Sequence, residues 1–113
     1  MDIIEEKKDK AILLTLKGRL DSSTSPALEE KIVSLLNGGE KKLAVNFASL
    51  DYISSAGLRV LLMAAKRLKQ GNGKIALYAL KDHIREVFEI AGFSSLFPIY
   101  PSEEGALRDI TSL

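Results

Sequence analysis

Leu50-Asp51-Tyr52-Ile53-Ser54-Ser55-Ala56-Gly57-Leu58-Arg59-Val60-Leu61-Leu62 follows the short apolar run Leu43 to Phe47 and opens a longer amphipathic one. The order predicts a strand over Leu43–Phe47, a polar loop over Asp51–Ala56 carrying two hydroxyls, and a helix that begins on those hydroxyls. At a helix start a serine oxygen can accept a hydrogen bond from a backbone N–H that has no intrahelical partner, so Ser55 is expected as a cap. The same place is the positive end of the helix dipole, where a phosphate is best tolerated. One serine therefore has two candidate uses, as a cap and as a charge switch.

Outward from this stretch, strand and helix signals alternate. Toward the N-terminus, Ala11 to Leu16 is apolar at every other residue on both faces, as a strand buried between two layers would be. Ile3-Ile4 is expected as a short strand before it, with the charged Glu5 to Lys10 making the turn. After Gly18-Arg19-Leu20-Asp21, the run Ser22-Ser23-Thr24-Ser25-Pro26 is a dense helix-start signal. Ser25 is the expected N-cap, Pro26 the first helical residue, and Glu29-Glu30 lie near the positive dipole end. Leu28, Ile32, Leu35 and Leu36 then share one helical face until Asn37-Gly38-Gly39 stops the helix.

Toward the C-terminus, Leu58, Leu61, Leu62, Ala65 and Leu68 form an apolar stripe at helical spacing, ended by Gly71-Asn72-Gly73. Ile75 to Leu80 is another buried strand. Asp82 is expected to cap a helix carrying Ile84, Val87, Phe88 and Ala91, with Gly92 as its stop. Pro98-Ile99-Tyr100-Pro101 has room only for an edge strand, because its prolines cannot donate to a ladder. Ser102-Glu103-Glu104 starts a last helix toward Leu113. Strands alternating with helices give an α/β fold with parallel pairing in at least part of the sheet. Leu62 is expected in the core, with Leu28, Ile32, Leu58 and Phe88.

With 113 residues, 46% of them hydrophobic and 27% charged, the chain suits one globular domain over 1–113. A formal charge of +1 gives no overall pull toward nucleic acid or an anionic membrane. With no cysteine there is no thiolate chemistry, disulfide or Cys-based zinc site. No apolar run reaches membrane-spanning length, and Met1-Asp2-Ile3-Ile4-Glu5-Glu6-Lys7-Lys8 lacks the layout of a signal peptide, so a soluble cytoplasmic protein is expected.

Other chemistry is thin. His83, the one histidine, has no nucleophile or second ligand pointed out by the sequence and is expected as a solvated surface residue. The glycines at 38–39, 71 and 73 follow helices instead of leading into them, which makes them helix stops and not a phosphate cradle. Lys66, Arg67 and Lys69 near a helix end complement its dipole, and no aromatic residues are interleaved to stack bases. No cofactor or metal is expected. Ser22 to Ser25, with Asp21, follow a strand as the Asp51–Ala56 segment does. In an alternating fold both should open on the same sheet edge.

Asp51-Tyr52-Ile53-Ser54-Ser55-Ala56-Gly57-Leu58 resembles the signature of the STAS family of anti-sigma factor antagonists: an aromatic, an aliphatic, usually an acidic residue, then Ser, a small residue, Gly and Leu. Gly18-Arg19-Leu20-Asp21 is similar to that family's second-strand ending, Ala91-Gly92-Phe93 with Leu96-Phe97 to its later helix ending, and Glu103-Glu104-Gly105-Ala106-Leu107 to its last helix. Ser54 stands where the family usually has an acidic residue, and Asn46 where the third strand commonly ends with aspartate.

The resemblance implies a mixed sheet of about four to five strands flanked by about four helices, and no catalysis. It implies binding, in the unphosphorylated form, to a cytoplasmic anti-sigma factor that is also a serine kinase, which frees a sigma factor. Phosphorylation of Ser55, with Ser54 as second choice, would block that binding, and a separate protein phosphatase would restore it. The implied contact face is Asp21, Ser22, Ser23 and Thr24 with Ser54, Ser55, Ala56, Gly57 and Arg59, and Tyr52 joins Arg59 at its rim. The competing reading is an unphosphorylated STAS scaffold module of a transporter, a lipid-trafficking assembly or a stress-sensing complex.

Overall fold

The alternation read from the sequence is realised as β1 (Asp2–Lys8), β2 (Ala11–Leu20), α1 (Ser25–Asn37), β3 (Lys42–Ile53), α2 (Ser55–Gln70), β4 (Lys74–Tyr78), α3 (Asp82–Ile90), β5 (Ile99–Tyr100) and α4 (Glu103–Thr111). The structure is a computed structural model and describes residues 1–112, so Leu113, at the end of the expected last helix, lies outside the described residues. The strands lie side by side in the order β1-β2-β3-β4-β5. β1 is antiparallel to β2, and every later neighbour is parallel. The expected mixed sheet with four flanking helices is therefore present.

Period-2 alternation divides the central strands between two layers. Ile12, Leu14 and Leu16 of β2 join Val45 and Phe47 of β3 in a core with Leu28 and Ile32 of α1, Leu58 and Leu61 of α2, and Ile84 and Phe88 of α3. Ala11 and Leu13 point the other way, toward Ala106 and Ile110 of α4. Leu13 pairs with Ala44, and Ala44 with Ala76. The alanines at 11, 44 and 76 on this face leave room for α4 to lie close against the sheet.

Several local readings are corrected. Glu5 to Lys8 do not turn; they extend β1, and the turn is Asp9-Lys10 alone, both at positive φ (50° and 71°). β1 tolerates its charges because it is an edge strand whose side chains reach solvent and partners: Glu5 pairs with Lys31 at 3.0 Å and Lys8 with Glu103 at 2.8 Å. Ser25 is the first residue of α1 and Pro26 the second; Thr24 precedes them without a side-chain cap bond, and the first turn holds no acidic residue. Asp82 lies within the first turn of α3, where its charge suits the dipole, and Lys81 takes the flanking position.

The phase of α2 also differs. Gly57, Leu58, Val60, Leu61, Ala64 and Leu68 are its buried residues, and Leu62 is only half-buried. Leu62 therefore does not join Leu28, Ile32, Leu58 and Phe88 in the core. The apolar stripe is wider than the sheet can cover, and the helix seats its small Ala64 inward.

Candidate partner-binding and phosphorylation site

The end of β3 is where expectation and structure differ most. β3 runs to Ile53, so Leu50-Asp51-Tyr52-Ile53 is strand, and Ser54 alone separates it from α2. The period-2 alternation breaks here: Phe47, Leu50 and Ile53 are buried at every third residue with exposed residues between them, and two register shifts between β2 and β3 accompany the change. Leu20 at the end of β2 pairs with Ile53, and the Ser54 N–H donates to the Leu20 carbonyl at 2.9 Å. The two strand ends are thus tied together, and the loops after them open on one sheet edge. The Asp21–Thr24 loop and the start of α2 meet across a shallow groove of about 380 Å³ lined by Ser22, Ser25, Pro26, Ala56 and Arg59, among others.

The cap is Ser54, not Ser55. Ser54 has extended backbone, φ −99° and ψ 173°, and its Oγ accepts from the Gly57 N–H at 3.3 Å. This is the geometry of a helix N-cap, which the neighbouring identical residue made impossible to assign from sequence. Ser55 becomes the first helical residue and is exposed. The two candidate uses of one serine are divided between two: Ser54 holds the helix start, and Ser55 presents a hydroxyl beside it. No acidic residue lies in the first turn of α2. Ser54→Ala is expected to cost ~1 kcal/mol of stability through loss of this cap, a loss that chemical denaturation would measure and that Ser55→Ala should not show.

Gly57 has a steric purpose. A Cβ there would lie 2.6 Å from Leu20 Cγ, 2.9 Å from Leu20 Cδ2 and 3.1 Å from Ile53 Cγ1. Leu20 is fully buried and has nowhere to go. The glycine lets the first turn of α2 press on the two strand ends that carry the site. Gly57→Ala is expected to destabilise by about 1–3 kcal/mol through overpacking, and the denaturation midpoint is the direct check.

The Asp21 loop is organised from inside. The Asp21 carboxylate accepts from the Ser23 N–H at 3.0 Å, the Ser23 hydroxyl at 2.7 Å and the Thr24 N–H at 3.2 Å. Thr24 Oγ1 accepts from the Asp21 N–H and donates to the Arg19 carbonyl, each at 2.8 Å. Hydrogen bonds from Ser23, above all, hold the Asp21 carboxyl below its ordinary range. Asp21 is therefore a poor position for testing binding alone, because charge reversal there would also dismantle the loop. Ser22 and Ser23 are exposed, Thr24 half-buried.

At the other flank, Asp51 is held by partners far away in sequence. Lys81 donates to its carboxylate, and this bond with the attached positive charge lowers the carboxyl's pKa. His83 Nε2 lies 2.7 Å from the Asp51 carbonyl and, facing a carbonyl, must be the donor. His83 is exposed as expected, yet it pins α3 to the end of β3. The Arg19 guanidinium lies 4.2 Å from the centre of the Tyr52 ring, a cation–π contact between the ends of β2 and β3. Neither link had a signal in sequence, since Lys81 and His83 are 30 and 32 residues from Asp51.

Of the residues expected on the contact face, Ser22, Ser23, Ser55 and Arg59 are exposed; Asp21, Thr24, Ser54 and Ala56 are half-buried; and Gly57 is buried. Asn46 does not end β3. Its side chain accepts from the Ala48 N–H at 2.9 Å and reaches Thr15 Oγ1 at 3.4 Å, so the amide serves the sheet.

Residues 2–106 match the STAS domain. The chain belongs to the STAS domain family. BtrV of Bordetella bronchiseptica, a protein assigned as an anti-sigma factor antagonist, is 42% identical to this STAS chain over 106 residues, 94% of this chain and 91% of BtrV. A solved Thermotoga maritima structure assigned to the same class superposes with a TM-score of 0.93 at 17% identity, covering 97% of this chain and 95% of that one. The anti-sigma factor antagonist SpoIIAA is similar in its unphosphorylated form, with TM-score 0.86, 21% identity, and 99% and 98% of the two chains covered. Bacillus SpoIIAA in its phosphorylated form gives 0.77 at 22% identity, covering 96% and 99%. The fold is thus that of a STAS domain. Among the described residues no helix is long and apolar enough to cross a membrane.

Proposed function

We propose that this STAS protein is an anti-sigma factor antagonist. In its unphosphorylated form it binds a cytoplasmic anti-sigma factor that is also a serine kinase, and so frees a sigma factor. Phosphorylation of Ser55 ends the binding, and a protein phosphatase restores it. The observation that carries this reading is the exposed Ser55 hydroxyl at the first position of α2, beside a separate serine that already caps the helix. A phosphate there changes the surface without taking away the bond that starts the helix. The 42% identity to BtrV and the existence of SpoIIAA structures in both phosphorylation states support the same role.

The contact face of this proposal is the edge formed by Ser22, Ser23 and Thr24 with Ser55, Ala56 and Arg59, and Tyr52 lies at its rim. Asp21 and Ser54 act from beneath by shaping the loop and the helix start, and Gly57 by admitting the helix. In the free protein the phosphate, with charge of about −1.5 to −2, is favoured by the dipole of α2. At an interface it must give up water and meet whatever charge the partner presents.

An affinity capture from the cell of origin, with and without ATP and read by mass spectrometry, tests the partner. The proposal expects a kinase-type anti-sigma factor that is retained without ATP and lost when ATP is supplied. Retention of a transporter or a multi-subunit scaffold, indifferent to ATP, would replace it with the module reading.

A further inference from the structure

A second cleft lies along α2, away from the groove beside Ser55. A cleft of about 560 Å³ opens between α2, the start of β4 and the Ser95–Pro98 segment. Its size falls within the ~300–1,000 Å³ of small-ligand sites. Leu62 and Ala65 of α2 form one wall and Leu96 and Pro98 the other, with Ile75 and Leu68 also lining it. Leu62 is half-buried and Leu96 is 50% exposed. These two large aliphatic side chains satisfy no core contact fully, and both border the same cleft.

Three lysines, Lys66, Lys69 and Lys74, line this cleft with one carboxylate residue, Asp109. The Asp109 carboxylate already accepts a 2.6 Å hydrogen bond from the Tyr100 hydroxyl, and Lys74 Nζ lies 3.3 Å from the Asp109 backbone carbonyl. Lys69 belongs to the last turn of α2, where a cation complements the dipole. Lys74 begins β4, and its ammonium donates to the Asp109 carbonyl in the last turn of α4. Cations thus arrive from two elements on an apolar cleft. Lysine stems pack along apolar walls while their ammonium groups stay at the water boundary. The cleft consequently offers an apolar floor and a positive rim.

We propose that this cleft binds an amphipathic organic anion: an acyl or aromatic body between Leu62 and Leu96, with a single carboxylate, sulfonate or phosphate head at Lys66, Lys69 and Lys74. Along α2 from Ser55 the cleft begins at Leu62, about 10 Å away, and reaches Lys69, about 21 Å away at 1.5 Å per residue, and it shares no lining residue with the groove beside Ser55. The site is therefore separate from the proposed switch, and its occupancy does not depend on that reading.

The test is an amide NMR titration of the intact chain with decanoate below its micelle concentration. Decyltrimethylammonium supplies the same tail with opposite charge, and acetate a head without a tail. Decanoate alone is expected to give saturable shifts clustered at Leu62, Lys69, Ile75 and Leu96. The double variant Lys66→Glu, Lys69→Glu should weaken its binding by about tenfold or more, the scale of a lost charge-assisted hydrogen bond. Both lysines are exposed, so the fold should survive, and the Lys66→Gln, Lys69→Gln pair provides a milder check with the same expected direction. Equal shifts from the ammonium or acetate, shifts centred elsewhere, no saturation with decanoate, or unchanged affinity in both variants would overturn the proposal.

Discussion

Ser55→Asp is expected to weaken binding to the anti-sigma factor by up to roughly a thousandfold while the free protein melts no lower than the wild type. The two halves of this result have different origins. Ser55 is the first residue of α2, and its side chain is not the one that caps the helix. Replacing it leaves the Ser54 cap in place, and a carboxylate in the first turn is favoured by the helix dipole. At the interface the same charge is a liability. A like charge about 4 Å away costs up to ~4 kcal/mol at an effective dielectric of about 20, and about 1.4 kcal/mol is tenfold in affinity. Ser55→Ala should bind like the unphosphorylated wild type, ignore ATP, and keep its melting temperature. Isothermal titration and thermal melts of the two variants, run in parallel, separate a switch from a purely structural serine. A structural serine predicts no binding loss for either.

Phe88→Ala is expected to destabilise the fold by about 3–5 kcal/mol, the largest effect foreseen for a single core residue. Phe88 is fully buried. Its ring meets Phe47 edge-on with centroids 5.9 Å apart and Phe97 at 5.7 Å. Phe47 lies in β3, Phe88 in α3, and Phe97 in the segment before β5, so one ring links three parts of the chain. Its loss leaves a cavity and frees α3, from which Lys81 and His83 hold Asp51 at the end of β3. Urea denaturation gives the magnitude directly. A further consequence is local: Asp51 should lose part of its order, seen as faster amide exchange at the end of β3, even under conditions where the variant remains folded.

The sequence carried the architecture wherever burial pattern decides it. Ala11 to Leu16 is apolar on both faces because α1–α3 cover one side of β2 and α4 covers the other, and the pattern says so without knowledge of either helix. Leu28 and Ile32, or Ile84 and Phe88, are buried where helical spacing puts them. Boundaries were legible only where a single residue type can do the job. Ser54 and Ser55 are chemically the same, and only the backbone turn at Ser54 determines which one caps. Ser25 has the residue type of a cap, but the helix already includes it, and its hydroxyl donates back to the Asp21 carbonyl instead of accepting from the N–H groups that follow. In β1 the charges of Glu5 to Lys8 resembled a turn because a strand edge and a turn both face water.

The candidate site was half legible. Its loops could be brought to one edge, since both follow parallel strands, and the Ser54 N–H to Leu20 carbonyl bond ties the strand ends from which they emerge. Its supports could not. The Arg19–Tyr52 stack and the Lys81 and His83 contacts with Asp51 join residues whose proximity follows from the assembled sheet, not from any local spacing. Leu62 shows the same limit from the other side: helical periodicity placed it on the apolar stripe, but only the packed sheet decides how wide a stripe is buried.

The most direct test of the account is the position of the phosphate. Incubation of the protein with its cognate kinase and ATP, followed by tandem mass spectrometry of the peptide spanning Ser54 and Ser55, should place a single phosphate on Ser55. Ser54→Ala should still be modified, and Ser55→Ala should not. Phosphate on Ser54, the residue whose oxygen is committed to the Gly57 N–H, would contradict the division of labour between the two serines and with it the proposed switch.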